Sequence, residues 1–336
     1  MTYEAAQLKR RWTDGMIKRW ASTAAKILLT VAAIWYLQRK VDLAAAWDVG
    51  KGLSPWWFAL AMALQGIQMF VCGGRWLMVL KALGTRLPFL MSVELFMIGI
   101  FFGQVLPGAV GGDAVRIWKT REAGLSLSHS FNSVLLERVI TVFALMLLAA
   151  ISQPFLQDRL GGLLPVWFFP ALAGLGLSGI VVLLLLDRLP DSLIRIRVVR
   201  GFFALAADGR RLFLSPLRAL PTLAVTLLGH VNLVLVMWAL ARGIGAPVDV
   251  GDCLVLVPPV ILVATLPISI SGWGVRENMT VLMFAGIGVA HEQSAALSLL
   301  FGLSSLLISL PGGLFWLRER DAAQQEMQKE MGDERG

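Results

Sequence analysis

The chain has 336 residues, 57% of them hydrophobic and only 15% charged, with a formal net charge of +8 and a mean hydropathy of +0.72. A soluble domain carries about 25% charged residues, so this composition excludes a soluble enzyme, a secreted disulfide scaffold and a nucleic-acid binder. The basic excess needs no nucleic acid, because polytopic membrane proteins hold Lys and Arg on cytoplasmic loops, and Cys72 and Cys253, far apart in apolar stretches, read as packing residues.

Residues 1–19 form a basic N-terminus with Lys9, Arg10, Arg11, Lys18 and Arg19. The apolar run at 20–37 follows, and no small-residue cleavage site succeeds it, so it reads as a retained anchor. Five more full crossings are expected at 55–80, 130–152, 165–186, 217–241 and 292–316, since about 20 apolar residues span a bilayer. Two other apolar stretches, 89–106 and 250–270, each end in a Pro/Gly-rich break and then meet charge. We read them as the first arms of re-entrant hairpins at about 89–122 and 250–285. The predicted fold is all-α and polytopic, with six full spans and two hairpins. Membrane repeat 1 covers 20–152, membrane repeat 2 covers 153–316, and 317–336 is a charged cytoplasmic tail.

Lys and Arg decide the topology. With both stretches re-entrant, twenty-one basic residues face the cytoplasm and six face outside. The cytoplasm receives both termini, the 81–129 region and the Arg-rich 187–218 loop, as the positive-inside rule prefers. Trp35, Tyr36, Trp56, Trp57 and Trp167 then sit near the outer interface. In the 187–218 loop, Arg195, Arg197 and Arg200 alternate with Ile194, Ile196, Val198 and Val199. That segment reads as an ordinary positive-inside loop or as one lying apolar side down on the inner leaflet.

An internal repeat is visible. Leu106-Pro107, Gly112 and Val115-Arg116 recur at one common offset as Leu266-Pro267, Gly272 and Val275-Arg276. At nearly the same offset, Leu53-Ser54-Pro55 recurs as Leu214-Ser215-Pro216, Gly84 as Gly243, and Gly124 as Gly286. Three full spans separate the two broken stretches, and an odd number reverses direction. The halves are therefore expected to be inverted-topology repeats, an architecture of secondary transporters whose binding sites form at broken helices.

The breaks carry the candidate chemistry. The first supplies Gln104, Pro107, Gly111, Gly112, Asp113 and Arg116; the second supplies Pro267, Ser269, Ser271, Gly272, Trp273, Arg276 and Glu277. Glycines allow close backbone approach, free N–H groups at a helix start favour an anion, and arginine adds a bidentate clamp. Arg75 joins this set as a cation inside a span. The alternative for Arg116 and Arg276 is plain anchoring of the hairpin ends by snorkelling. Glu94, Glu137 and His230 are candidate proton or ion-coupling groups. Glu137 and Arg138, adjacent in sequence, are also expected to neutralise each other. Gln65, Gln68 and Asn232 are further polar residues within spans. No metal-ligand set, P-loop or nucleophile motif is present, so no metal or cofactor is expected.

The paired strings Leu106-Pro107-Gly108 with Gly111-Gly112-Asp113 and Arg116, and Pro267-Ile268-Ser269 with Gly272-Trp273-Gly274-Val275-Arg276-Glu277, resemble the transmembrane, flippase-like domain family of lysylphosphatidylglycerol synthases. The resemblance covers about 20–318, and Arg75-Trp76 is similar too. It implies movement of a lipid between leaflets. Only a charged tail follows Trp316, so the aminoacyltransferase of the fused members is expected to be lacking, and lysyl transfer is not carried over. The expectation is an inner-membrane translocase or scramblase for an anionic phospholipid or polyprenyl-phosphate lipid, with both termini cytoplasmic. Two rivals stand beside it. One is an intramembrane transferase or accessory protein of lipid or hopanoid synthesis, with Asp113, Glu137 or Glu277 as acid or base. The other is a non-catalytic membrane partner of such enzymes.

Overall fold

A computed structural model describes residues 43–105, 111–160, 165–186, 197–265 and 273–333. The expected span at 20–37 and the centres of both breaks, 106–110 and 266–272, lie outside the described residues. So do Pro107, Pro267, Ser269, Ser271 and Gly272.

Eleven helices make up the described residues, and the protein is an all-α polytopic membrane protein. The short α1 (Leu43–Lys51) leads into α2 (Pro55–Ala82), whose first turn opens on Ser54 followed by proline. Proline at that position forfeits an N–H that would have no helical partner anyway. Then come α3 (Phe89–Val105), α4 (Gly111–Glu122), α5 (Leu127–Leu160) and α6 (Phe168–Leu185). The second half runs α7 (Arg197–Phe213), α8 (Pro216–Gly243), α9 (Val250–Thr265), α10 (Val275–Ala285) and α11 (His291–Asp333). Five helices are long and apolar enough to cross a bilayer: α2, Leu127–Phe155 of α5, α6, α8 and His291–Glu319 of α11. The apolar stretches of α3 and α9 are shorter, Phe89–Gln104 and Val250–Thr265. In α6, Leu175, Leu177, Val181 and Val182 are exposed, as suits a helix surrounded by lipid.

Local geometry recurs between the halves. Ser215 and Pro216 open α8 just as Ser54 and Pro55 open α2. After α2, Gly84 takes a left-handed φ and Thr85 N–H reaches back to Leu80 O at 2.9 Å; after α8, Gly245 does the same and Ala246 N–H reaches Ala241 O at 2.9 Å. The turns after α4 and α10 repeat this with Gly124 and Gly288. These are Schellman-type stops, which need a residue free to adopt positive φ. The geometric partners of Gly84 and Gly124 are thus Gly245 and Gly288, rather than the Gly243 and Gly286 that residue identity suggested.

Packing follows the same pairing. Helices α2 and α8 lie side by side, α3 packs on α11, and α9 packs on α5. The largest core cluster runs through α8 to α11, with Met237, Leu256 and Phe284 fully buried. A smaller one holds Trp76, Leu80, Phe96 and Val134. Within the Arg-rich segment, residues 197–213 are helical. Its Leu205 and Leu212 are buried against Val79, Leu83 and Leu136. Phe202 of the same helix stays exposed, and Asn132 donates to Asp208 at 2.8 Å.

Candidate functional site: two arginine centres joined by a polar seam

The first centre forms where α2, α3, α4 and α5 meet. Gly99 and Gly103 stand one turn apart on α3 and face Gly112 of α4, so the backbones approach closely. Arg116, one turn beyond Gly112, lays its side-chain stem over Gly99. Its guanidinium sits between two rings, 4.3 Å from the Trp76 centroid and 4.6 Å from that of Phe96. Stacking suits a planar, weakly hydrated cation in a low-dielectric interior. Trp76 is held in turn by Ser133, 3.3 Å from its indole nitrogen.

Glu137 of α5 is the hub. Its Oε1 accepts from Nη2 of Arg75, and its Oε2 accepts from Nη1 of Arg116 at 3.1 Å. Arg75, Arg116 and Glu137 are all buried. Asp113 Oδ1 lies 3.4 Å from Arg116 Nη1, and its Oδ2 lies 2.8 Å from Nε of the more exposed Arg138. The expected pairing of Glu137 with its neighbour Arg138 is therefore replaced. Adjacent residues on a helix point about 100° apart, so each finds its partner on another helix or further along the chain. Three guanidiniums meet two carboxylates, a surplus of one positive charge. Nε of Arg75 and both Nε and Nη2 of Arg116 are buried without a hydrogen-bond partner. A buried charged group with unmade hydrogen bonds is unfavourable unless something completes it.

The second centre caps α10. Gly274, with φ of +80°, donates its N–H to Glu277 Oε2 at 2.6 Å. Glu277 Oε1 takes Nη2 of Arg276 at 2.6 Å, and Arg276 Nε donates to Ser298 of α11 at 3.2 Å. The Arg276 guanidinium lies between the Trp273 and Phe301 rings at 5.0 and 5.5 Å, in the space that Gly302 leaves open. The plan matches the first centre: an arginine between two rings, a glycine beneath it and a buried glutamate. The charge balance differs, because one carboxylate here neutralises one guanidinium.

A polar seam runs between them. Gln65, Gln68, Cys72 and Arg75 fall at three- and four-residue spacing on one face of α2, over about 15 Å of helix. Gln68 Oε1 accepts from Asn232 of α8 at 2.8 Å. Gln65 donates to Ser305 of α11 at 3.0 Å, two turns along from Ser298 of the second centre. His230 Nε2 donates to Thr141 O at 3.0 Å, and its Nδ1 is unpartnered. Gln104, in the last turn of α3, is half-buried. Glu94 on α3 lies near Arg318 and Glu319 of α11 rather than in the arginine centre. Lys119 ties α4 to Glu319 at 2.8 Å. Partial burial opposes its charge, but the carboxylates of Glu319 and Glu122 outweigh that and hold its pKa above the ordinary lysine value. Among the described residues, no three His, Cys, Asp or Glu groups are placed to hold a metal ion.

The structure thus brings together Arg75, Asp113, Arg116 and Glu137, and separately Trp273, Arg276 and Glu277. Sequence reading missed Phe96, Gly99, Ser298, Phe301 and Gly302, and singled out Trp76 only through the family resemblance. The Gly99/Gly103 spacing was a usable signal, since small residues one turn apart mark close helix approach in membranes. Phe96 and Phe301 left none, because Phe is common in spans.

Over 178 residues the chain is 25% identical to a UPF0104 membrane protein of Pyrococcus horikoshii, covering 51% of this chain and 48% of that protein. It is 28% identical over 103 residues to a UPF0104 membrane protein of Methanothermobacter thermautotrophicus, covering 30% and 29% of the two chains. The corresponding figures for one from Archaeoglobus fulgidus are 25% over 114 residues, covering 34% and 35%. The matched regions therefore span about half or less of those relatives. The pattern of the lysylphosphatidylglycerol synthase TM region matches residues 23–312, and the chain belongs to that family.

Proposed function

We propose that this protein is a lipid translocase of the cell's inner membrane, moving a lipid with an anionic headgroup between leaflets. The observation that carries the reading is Arg116: a buried guanidinium with two nitrogens unpartnered, in a cluster carrying one surplus positive charge. A phosphate oxygen supplies the missing acceptors, and a bidentate contact suits the guanidinium fork. Gly111, Gly112 and Asp113 open α4 and place its start beside this cation.

In this reading α3–α4 and α9–α10 are re-entrant hairpins of two inverted repeats, and both termini are cytoplasmic. The headgroup exchanges between the two centres along the Gln65–Gln68–Asn232 seam, whose neutral amides and hydroxyls accompany an anion without trapping it. The surplus charge belongs to the first centre alone, which makes Arg75 and Arg116 the main headgroup holders and Arg276 the weaker one. An intramembrane transferase with Glu137 as acid or base has less support, because both carboxylate oxygens are already tied to guanidiniums.

The test is reconstitution into vesicles of phosphatidylethanolamine and phosphatidylglycerol containing headgroup-labelled phosphatidylglycerol or a short polyprenyl phosphate. The wild type should bring label to the opposite leaflet faster than protein-free vesicles, and Arg116→Ala should abolish the gain. Wild-type rates equal to those of empty vesicles for every anionic lipid would overturn the reading.

A further inference from the structure

Away from the arginine centres, the contact between α5 and α9 is not closed. Ile151, Ser152 and Phe155 of α5 and Gly251, Leu254 and Val255 of α9 line a cleft of about 360 Å³. Among the described residues no ionisable side chain lines it, and the hydroxyl of Ser152 donates back to Leu148 O within its own helix. Ile151 and Phe155 are exposed. They fall in the last turns of the stretch of α5 that is long and apolar enough to cross a bilayer, which puts lipid beside them.

The corresponding contact in the other half, α3 with α11, is shut. Gly312 rests against the backbone of Met97 and Ile98, Gly313 lies on the Phe101 ring, and Phe102 meets Trp316 edge-on at 5.4 Å. Two matching helix contacts thus differ: one is zipped by glycines and rings, and the other is left ajar. Apolar walls facing an unfilled gap lose their dispersion contacts, so the open contact calls for an apolar, flexible filler drawn from its own surroundings.

We propose that the α5/α9 cleft seats one hydrocarbon chain of a membrane lipid. It serves as a side port, keeping the tail in the bilayer while the headgroup enters the polar interior. The port role rests on the translocase reading; the seat does not.

The experiment combines lipid retention with chain-specific labelling. Protein purified in detergent is given dioleoyl phosphatidylglycerol, washed, and its bound lipid counted by native mass spectrometry. Leu254→Trp and Ser152→Phe each fill the cleft, and Leu228→Trp places the same bulk on an exposed site of α8. Wild type and Leu228→Trp should retain one lipid, and both filled variants should lose it by roughly tenfold. In bilayers, phosphatidylglycerol carrying a mid-chain diazirine should label the wild type preferentially within 148–155 and 251–255.

Unchanged retention in a folded filled variant, or wild-type labelling spread evenly over lipid-facing helices, would overturn the proposal. Wild-type labelling needs no variant, so misfolding of the filled proteins leaves the test intact. A wild type that holds the lipid in the cleft but translocates nothing would sink the translocase reading and leave the seat standing.

Discussion

Gly99 of α3 lies directly beneath Arg116 of α4, so closely that a β-carbon at position 99 would collide with Cγ and Cδ of the arginine. That absence of a side chain lets the guanidinium reach Glu137 and sit between Trp76 and Phe96. Gly99→Ala should displace Arg116 and destabilise the protein by about 1–3 kcal/mol through overpacking. Translocation should fall by roughly tenfold, the equivalent of 1.4 kcal/mol. Gly66→Ala, at a helical glycine with open space around it, should leave both unchanged. Thermal unfolding in detergent and the vesicle assay check this; equal behaviour of the two variants would refute it.

The two centres should respond unequally to lysine. Lysine keeps the charge and loses the fork and the ring stacking. Arg116→Lys therefore removes the unpartnered nitrogens offered to a headgroup, whereas Arg276→Lys removes contacts already satisfied inside the protein. Affinity for phosphatidylglycerol should drop roughly tenfold in the first and less than twofold in the second. Lipid titration by fluorescence quenching would measure both, and equal losses would show that the surplus charge does not select the site.

Removing the hub should be worse than removing a pair. Glu137→Leu leaves Arg75 and Arg116 buried without their shared acceptor. Breaking a buried ion pair on one side costs about 3–5 kcal/mol. Combining it with Arg75→Met should restore part of the stability, since one uncompensated charge is then gone. A double-mutant cycle on unfolding midpoints decides it: additive losses would mean that the two side chains are not coupled.

The seam should be held by modest interactions. Gln68→Leu removes one of the two acceptors of the Asn232 amide and leaves the other, Leu64 O. Hydrogen bonds between membrane helices average about 0.6 kcal/mol. The coupling between Gln68→Leu and Asn232→Leu should therefore be near that figure, with the paired variant about as stable as either single one. A coupling of several kcal/mol would mark the seam as rigid, which does not suit a path that must open.

Much of this protein was legible in its sequence. The observed bounds of α2, α6, α8 and the crossing parts of α5 and α11 lie within a few residues of the expected spans. Ser54-Pro55, Ser215-Pro216 and the glycine stops are local signals that act through one or two dihedrals. Arg75, Arg116, Glu137, Arg276 and Glu277 drew attention because a charge in an apolar run is costly wherever it ends up. The partners were not legible. Glu137 turned to Arg75, 62 residues away, and left Arg138 to Asp113, 25 residues away.

The sequence by itself determined that the chain is a bundle of membrane helices with two shorter apolar helices and buried charge, because hydropathy, turn chemistry and desolvation are properties of short segments. Only the tertiary structure decided which charges meet, which centre keeps a surplus and which helix contact stays open. Those outcomes depend on side chains from distant helices competing for the same few atoms, and on glycines whose meaning appears only when another backbone lies against them.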